Sequence, residues 1–93
     1  MKEITEEKIK KYFEVTKKAL KMAKESDNRL KLEAERADSL DMIERYVSDA
    51  EHFYKKGDYV DAFAALNYAH GWLDSGARIG LYDVHDSKLF TVD

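Results

Sequence analysis

The sequence predicts an all-α fold, an antiparallel bundle of three main helices. Three observations support this prediction: the 93-residue chain contains no proline, contains no glycine before Gly57, and repeats its apolar residues at helical spacing. Turn signals at residues 26–28 and 57–58 divide the helical pattern. A chain of this length forms one domain, and we expect its core over about residues 5–81, followed by a C-terminal tail at 82–93.

The first helix is predicted from about Thr5 to Lys24. Thr5 is a suitable N-cap residue, and Glu6 and Glu7 follow where the helix dipole favours acidic side chains. One face of this helix carries apolar and small side chains at the expected spacing, namely Ile9, Tyr12, Phe13, Thr16, Ala19, Leu20 and Ala23.

The second helix has an ambiguous beginning. Residues 30–37 favour a helix, but their apolar residues are out of phase with those that follow, which predicts a short additional helical segment at about residues 29–38 with a kink near Ser39. From Leu40 the phase is clear, and Gly57 ends the helix after two lysines that suit a C-terminal dipole.

The third helix is predicted to begin at the capping residue Asp58 and to end at Gly80. Its most regular feature is a continuous stripe of small and apolar residues, namely Ala62, Ala65, Leu66, Ala69, Leu73, Gly76, Ala77 and Gly80. Small side chains allow the backbone of a neighbouring helix to approach closely. The tail after Gly80 either lies over the bundle as a strap or is partly frayed.

Composition and charge exclude several classes of function. The absence of cysteine removes disulfides, thiolate chemistry and cysteine-type zinc sites, and it favours a cytoplasmic location. No apolar run approaches the length of a membrane helix. The 38% charged residues, the absence of glutamine and the two asparagines are typical of thermophilic proteins.

The charge distribution argues against nucleic acid as the main partner. Residues 1–36 carry 11 Lys and Arg and 8 Asp and Glu, whereas residues 37–93 carry 5 and 11. The basic excess of the first part is interleaved with glutamates, which indicates a solvated helix surface rather than a basic binding face. RNA therefore stays an alternative partner.

One edge of the third helix carries candidate binding residues. Asn67, His70, Asp74 and Arg78 fall along this edge, and His70 and Asp74 are four residues apart, close enough to pair. This arrangement would suit a polar cleft for a small anion, a nucleotide or a peptide end. The alternative is a boundary histidine held by a carboxylate for structural reasons.

The other edge of the third helix is aromatic. Tyr68 and Trp72 lie there, and Asp49 of the second helix could bond to either one if it points inward. Aromatic residues at helical spacing are usually core, but an exposed pair would be an interface hot spot. We therefore expect association with a protein partner or a second copy, through these aromatics or the small-residue stripe. No catalytic residue, metal site or cofactor is predicted.

Several segments resemble a known family. They are residues 46–50 (YVSDA), 56–59 (KGDY), 65–74 (ALNYAHGWLD) and 76–80 (GARIG). The chain resembles domain-of-unknown-function family 357 over about residues 40–82, and more loosely over the first helix. The resemblance implies a compact helical bundle from an archaeal cytoplasm and assigns no activity. The positions that match the family pattern are Asp49, Tyr68, His70, Gly71, Trp72, Asp74 and Gly76.

A weaker similarity supplies the alternative function. HEPN domains, small helical proteins, include RNases with an Arg-x(4–6)-His motif, and the spacings from Arg45 to His52 and from Arg78 to His85 fit this pattern. The sequence thus predicts a small interaction or scaffold domain, self-associating through its third helix and aromatic edge. The alternative is RNA binding or cleavage through Arg45, His52 and His70.

Overall fold

Three helices form the protein in the computed structural model, which describes residues 4–27 and 31–91. They are α1 (Glu6–Glu25), α2 (Glu33–Lys55) and α3 (Tyr59–Ile79), and no strand occurs within the described ranges. Lys17 pairs with Glu51 at 2.7 Å, and the ring of Tyr12 contacts that of Phe63. Lys24, farther along α1, pairs with Glu44, which is earlier in α2, so the two helices are antiparallel and the predicted all-α antiparallel bundle is confirmed.

Helix α1 begins as its capping residues predict. Thr5 has an extended backbone, and its side-chain oxygen accepts a hydrogen bond from the Lys8 N–H at 3.1 Å. This bond satisfies one of the four N–H groups that the first turn of a helix leaves without an internal partner. The predicted N-cap is therefore confirmed.

Helix α2 is one continuous helix from Glu33, so the prediction of a separate segment over residues 29–38 is wrong. The apolar pattern fails there because the inward-facing positions are polar. Arg36 and Ser39 lie in phase with Ile43 and Val47 and contact the rest of the bundle through hydrogen bonds. Residues 28–30 of the predicted segment lie outside the described residues.

Two glycines end α2 and α3 in the same way. Gly57 and Gly80 have φ angles of 81° and 92°, the left-handed region that glycine adopts without a steric penalty. After each glycine the next N–H bonds back to a carbonyl of the last turn, Asp58 to Phe53 and Leu81 to Gly76. Both ends are thus Schellman motifs, and the predicted stops are confirmed.

The small-residue stripe of α3 faces the interior of the bundle. Its members Ala69, Leu73 and Ala77 are buried against residues of α1, α2 and the C-terminal tail, and Ala62 is buried as well. The small side chains therefore allow close packing within one chain. This face is not available to a second molecule, so the stripe cannot be the route to association that the sequence suggested.

The C-terminal tail lies over the bundle as a strap. Tyr82, Val84, Leu89 and Phe90 are all buried in the same core as the helices. The core therefore continues to Phe90, beyond the boundary near residue 81 that the sequence indicated.

Hydrogen bonds hold the strap at both ends. The Asp83 N–H donates to the Asp27 carbonyl, and the Thr91 N–H donates to Oδ1 of Asp74, each at 2.9 Å. The strap is thus joined to the end of α1 and to the edge of α3.

Candidate functional site

Two surface grooves flank α3, one on each side. The α2–α3 groove encloses about 730 Å³ and is bordered by Glu35, Asp38 and Ser39 of α2 and by Tyr68, Trp72 and Ile79 of α3. The α1–α3 groove encloses about 660 Å³ and is bordered by Lys8, Lys11 and Tyr12 of α1 and by His70 and Asp74 of α3. Asn67 and Gly71 lie on the crest between the grooves and line both.

The α2–α3 groove is apolar and partly open. Tyr68 is 64% exposed, Ile79 54% and Trp72 36%, although all three have large apolar side chains. The Tyr68 ring stacks on that of Tyr46 with centroids 5.4 Å apart, which fixes one end of the groove. The groove exists because the α2 residue opposite Trp72 and Gly76 is the small Ser39 rather than a bulky residue.

The groove continues into an exposed row of uncharged residues along α3. We call this row the outer stripe, and it consists of Val60, Ala64, Tyr68, Gly71, Ser75 and Ile79. Its residues are three or four apart, so they share the side of the helix that faces away from the core. Val60 is 68% exposed, which extends the apolar surface to the first turn of α3. An uncharged row of this length is unusual in a chain in which 38% of residues are charged.

The α1–α3 groove contains the predicted His70–Asp74 pair. His70 Nε2 and Asp74 Oδ1 are 3.7 Å apart, and both side chains are partly buried. The same Asp74 oxygen accepts the Thr91 N–H of the strap at 2.9 Å. Asp74 therefore anchors the tail as well as facing the histidine, which is the structural role that the sequence left open.

The α1 side of that groove is basic and aromatic. Lys8 and Lys11 border it, and the Lys8 ammonium lies 5.3 Å from the centre of the Phe63 ring. The Phe63 ring in turn meets Tyr12 edge to face at 4.5 Å. These groups can attract an anion, with His70 at the opposite wall.

Two of the predicted site residues lie apart from both grooves. Arg78 and Asp49 are exposed and border neither groove, although Arg78 follows Asp74 on the same helix. Of the other predicted residues, Tyr68 and Trp72 lie in one groove and His70 and Asp74 in the other. Asn67 is shared. The sequence therefore placed the polar and the aromatic residues on two different edges of α3, and these edges border the two grooves, although Arg78 and Asp49 were included wrongly.

Sequence reasoning missed a cluster at one end of the bundle. The Arg36 guanidinium donates to the carbonyls of Ala23 and Lys24, both at 3.0 Å, and to that of Leu81 at 3.2 Å. It also lies over the Tyr82 ring, 5.9 Å from its centre. Arg36 thus joins the end of α1, the beginning of α2 and the start of the strap.

Tyr82 is the buried centre of this cluster. Its hydroxyl shares a short hydrogen bond with the Ser39 hydroxyl, and only 1% of the residue is exposed. Burial raises the pKa of Tyr82, while the Ser39 bond and the charge of Arg36 act in the opposite direction. A signal for this cluster was present, since Ser39 is a polar residue in phase with buried Ile43 and such residues usually have a buried partner.

The described part of the chain contains neither a metal cluster nor a membrane helix. Over residues 4–27 and 31–91, no three His, Asp or Glu side chains are placed to hold a metal ion. None of α1, α2 and α3 combines the length and the apolarity that crossing a membrane requires.

Comparison with known proteins identifies one match. The model of a family described as protein of unknown function (DUF357) matches residues 11–82, which include most of α1, all of α2 and α3, and Tyr82. No curated protein and no solved structure matches the chain.

Proposed function

We propose that this chain, which belongs to the DUF357 family of proteins of unknown function, is a protein-interaction domain that self-associates through the exposed side of α3. The observation that carries the proposal is the exposure of Tyr68, Trp72 and Ile79 beside the α2–α3 groove. Covering such a surface removes apolar area from water, which is the main driving force of protein association.

The composition of this surface supports a protein partner. Tyrosine and tryptophan are the residues that most often form the energetic centre of interfaces, and charged residues are depleted there. The outer stripe is uncharged and contains Tyr68, Trp72 lies beside it in the groove, and the carboxylates of Glu35 and Asp38 border the groove as a polar rim. A partner surface that is apolar in the middle and basic at its edge would complement it.

The dimensions also favour association through this one surface. A stable interface of standard size covers about 800 Å² on each partner, which is roughly an eighth of the 6239 Å² surface of this chain. The outer stripe runs the length of α3 from Val60 to Ile79, about 28 Å at 1.5 Å per residue. One helix-length contact on this side can therefore supply a standard interface.

Sedimentation velocity over a wide range of protein concentration tests the proposal. We expect a concentration-dependent dimer that is weakened at least about tenfold by Tyr68→Asp or Ile79→Asp, because each variant places a carboxylate in the apolar interface. Ser48→Asp is the matched control, since it adds the same charge on the exposed side of α2 away from α3. A chain that stays monomeric throughout, or three variants with equal affinity, would contradict the proposal.

RNA binding or cleavage remains the second proposal, and one observation favours it. Lys8 and Lys11 border the groove that contains His70, which gives that groove two cationic groups beside an imidazole ring. No α2 residue borders it, so Arg45 and His52 do not take part there. Single-stranded RNA tested by fluorescence anisotropy against the parent chain and His70→Ala addresses this proposal, and equal weak binding by both would exclude it.

A further inference from the structure

We infer that two copies of this chain dock α3 against α3 in antiparallel orientation, around a two-fold axis at the midpoint between Ala69 and His70. This inference rests on the proposed self-association and specifies its geometry. The order of residues along the outer stripe and its flanks is complementary to itself when reversed about that midpoint.

In an antiparallel helix pair, residues equally distant from the two-fold axis lie at the same level on opposite helices. Asn67 and Trp72 form one such pair at the flanks of the exposed side of α3, and the four pairs nearer its middle join residues that suit each other. The pairs are Val60 with Ile79, Asp61 with Arg78, Ala64 with Ser75, and Tyr68 with Gly71. These pairs join apolar with apolar, acid with base, small with small, and large with small residues. On a helix of 3.6 residues per turn, all eight side chains point within about 50° of a single direction perpendicular to the helix axis.

The central pair supplies shape complementarity. Tyr68 is 64% exposed, and a Cβ placed on Gly71 would meet no atom within 4 Å, so open space lies above that glycine. The antiparallel arrangement lays each Tyr68 ring over the partner's Gly71, and the two-fold axis repeats the contact. A glycine in the middle of an exposed helix otherwise destabilises the helix by about 1 kcal/mol relative to alanine. Close approach of the partner gives this glycine a function.

The flanking pair supplies charge complementarity. Asp61 and Arg78 are both exposed, and neither makes an ion pair within the part of the chain that the structure describes. They are 17 positions apart on one helix, about 25 Å at 1.5 Å per residue, so they cannot reach each other within one chain. Across the antiparallel pair, each Asp61 lies at the level of the partner's Arg78 and diagonally across the contact, so the long arginine side chain has to extend across the interface toward the carboxylate, once at each end.

The ends of α2 are consistent with the same orientation. Lys55 and Lys56 are exposed at the turn before α3, while Glu35 and Asp38 border the groove at the other end of the bundle. Antiparallel docking brings the partner's turn toward these carboxylates. A parallel pair would instead set each Asp61 against the partner's Asp61 and place two Tyr68 rings at one level, leaving the space above Gly71 empty.

Charge reversal in the 93-residue chain tests the geometry. By sedimentation velocity we expect Asp61→Arg and Arg78→Asp each to weaken the dimer about tenfold or more, because each places like charges together at both ends of the interface. The double variant exchanges the two charges and should return the affinity to within about threefold of the parent. Because the two positions cannot meet within one chain, such recovery can only arise between chains.

The outcomes separate this inference from the proposal on which it rests. A dimer that responds to Tyr68→Asp but in which the two charge reversals add without recovery would overturn the antiparallel arrangement and retain association through α3. A chain that is monomeric at every concentration would remove both. Circular dichroism of each variant shows whether it is folded, and all three charge changes are on exposed side chains, so we expect the helical signal to be retained.

The absence of cysteine allows a second test of orientation. Chains with Ala64→Cys and chains with Ser75→Cys are mixed and oxidised mildly. The antiparallel pair predicts that the mixed dimer cross-links several-fold faster than either chain alone, because each Ala64 lies at the level of the partner's Ser75. Faster cross-linking of Ala64→Cys chains with one another would instead indicate a parallel pair and overturn the inference.

Discussion

Two glycines of α3 should respond in opposite ways to the same substitution by alanine. Gly76 and Gly71 are both in the helix interior, where replacement by alanine stabilises by about 1 kcal/mol when nothing else changes. At Gly71 a Cβ meets no atom within 4 Å. At Gly76 it would lie 2.7 Å from Cζ and 2.9 Å from the hydroxyl oxygen of Tyr82, and closer still to Cε2. The substitution at Gly76 therefore requires the Tyr82 ring to move.

The Tyr82 ring has little freedom to move. It is buried, its hydroxyl bonds to Ser39, and Arg36 lies over one face. Overpacking a rigid site costs about 1–3 kcal/mol, and we take the upper half of that range because the ring is held at both its hydroxyl and its face. After the gain in helix propensity, Gly76→Ala should destabilise by about 1–2 kcal/mol.

The difference between the two variants is the quantity to measure. Gly71→Ala should raise the free energy of unfolding by about 1 kcal/mol, so the gap is about 2–3 kcal/mol, or roughly 10–20 °C in Tm for a chain of this size. Urea unfolding followed by circular dichroism at 222 nm gives both values, at a concentration where the chain is monomeric. If Gly76→Ala were as stable as Gly71→Ala, the close packing of Tyr82 on α3 would be refuted.

A compensating change at Tyr82 separates steric conflict from other causes. Leucine is smaller than tyrosine, so it leaves room for a methyl group at position 76. The loss in the double variant of Gly76→Ala and Tyr82→Leu should be smaller than the sum of the single losses by about 1 kcal/mol or more. Strict additivity would indicate that the alanine methyl does not contact residue 82.

Three further changes test the interior and the end of the bundle by chemical denaturation. Thr16→Val should stabilise by about 1 kcal/mol, because the buried Thr16 hydroxyl has no hydrogen-bond partner among the described residues; an unchanged free energy of unfolding would contradict this. Arg36→Met should destabilise by about 1–3 kcal/mol, with Arg36→Lys recovering less than half, because one ammonium cannot reach the carbonyls of both α1 and the strap. The free energy of unfolding should fall as the pH rises above about 10, since the pKa of Tyr82 is raised by burial and the unfolded chain ionises first; Tyr82→Phe should reduce this slope, and an identical slope would contradict the burial effect.

Local signals in the sequence predicted the beginning of α1 and the ends of α2 and α3, whereas the beginning of α2 was missed and the side chain of Asp58 makes no capping hydrogen bond at the start of α3. Thr5, Gly57 and Gly80 act through hydrogen bonds to residues at most five positions away, so the short sequence around each contains the necessary information. The inner face of α3 was also predictable, because its spacing follows the period of a single helix. These features depend on one element at a time.

The features that sequence reasoning missed depend on contacts between distant parts of the chain. The Arg36 side chain donates hydrogen bonds to the carbonyls of Ala23 and Leu81, which are 13 and 45 positions away in the sequence. No local sequence pattern predicts either contact. The sequence could not distinguish a strap over the bundle from a frayed tail, because a segment without secondary structure shows no repeating pattern of apolar residues. Its position is decided by Gly76, where the missing side chain leaves space for Tyr82.

The candidate site illustrates the same limit. From helical spacing, Tyr68 and Trp72 lie at the boundary of the buried face, where a side chain is covered or exposed according to its neighbour on the next helix. For Trp72 that neighbour is the small Ser39, whose hydroxyl bonds to Tyr82, whereas Tyr68 stacks on Tyr46 and is nevertheless 64% exposed. The sequence could identify the edge residues, but whether their side chains are exposed depends on how α2 and the strap pack beside them.

The strap also explains why α3 can present an apolar surface without making the bundle unstable. A short three-helix chain has little core, and the strap adds Tyr82, Val84, Leu89 and Phe90 to it. Because the inner face of α3 is then fully covered by its own chain, Val60, Tyr68 and Ile79 are not needed for folding and remain on the surface. Substitutions along the outer stripe should therefore change association without unfolding the domain. Substitutions at Gly76 and Arg36, which hold the strap in place, should instead lower the stability of the domain without changing the associating surface. The two sides of one helix thus separate stability from interaction, which makes the interface variants informative.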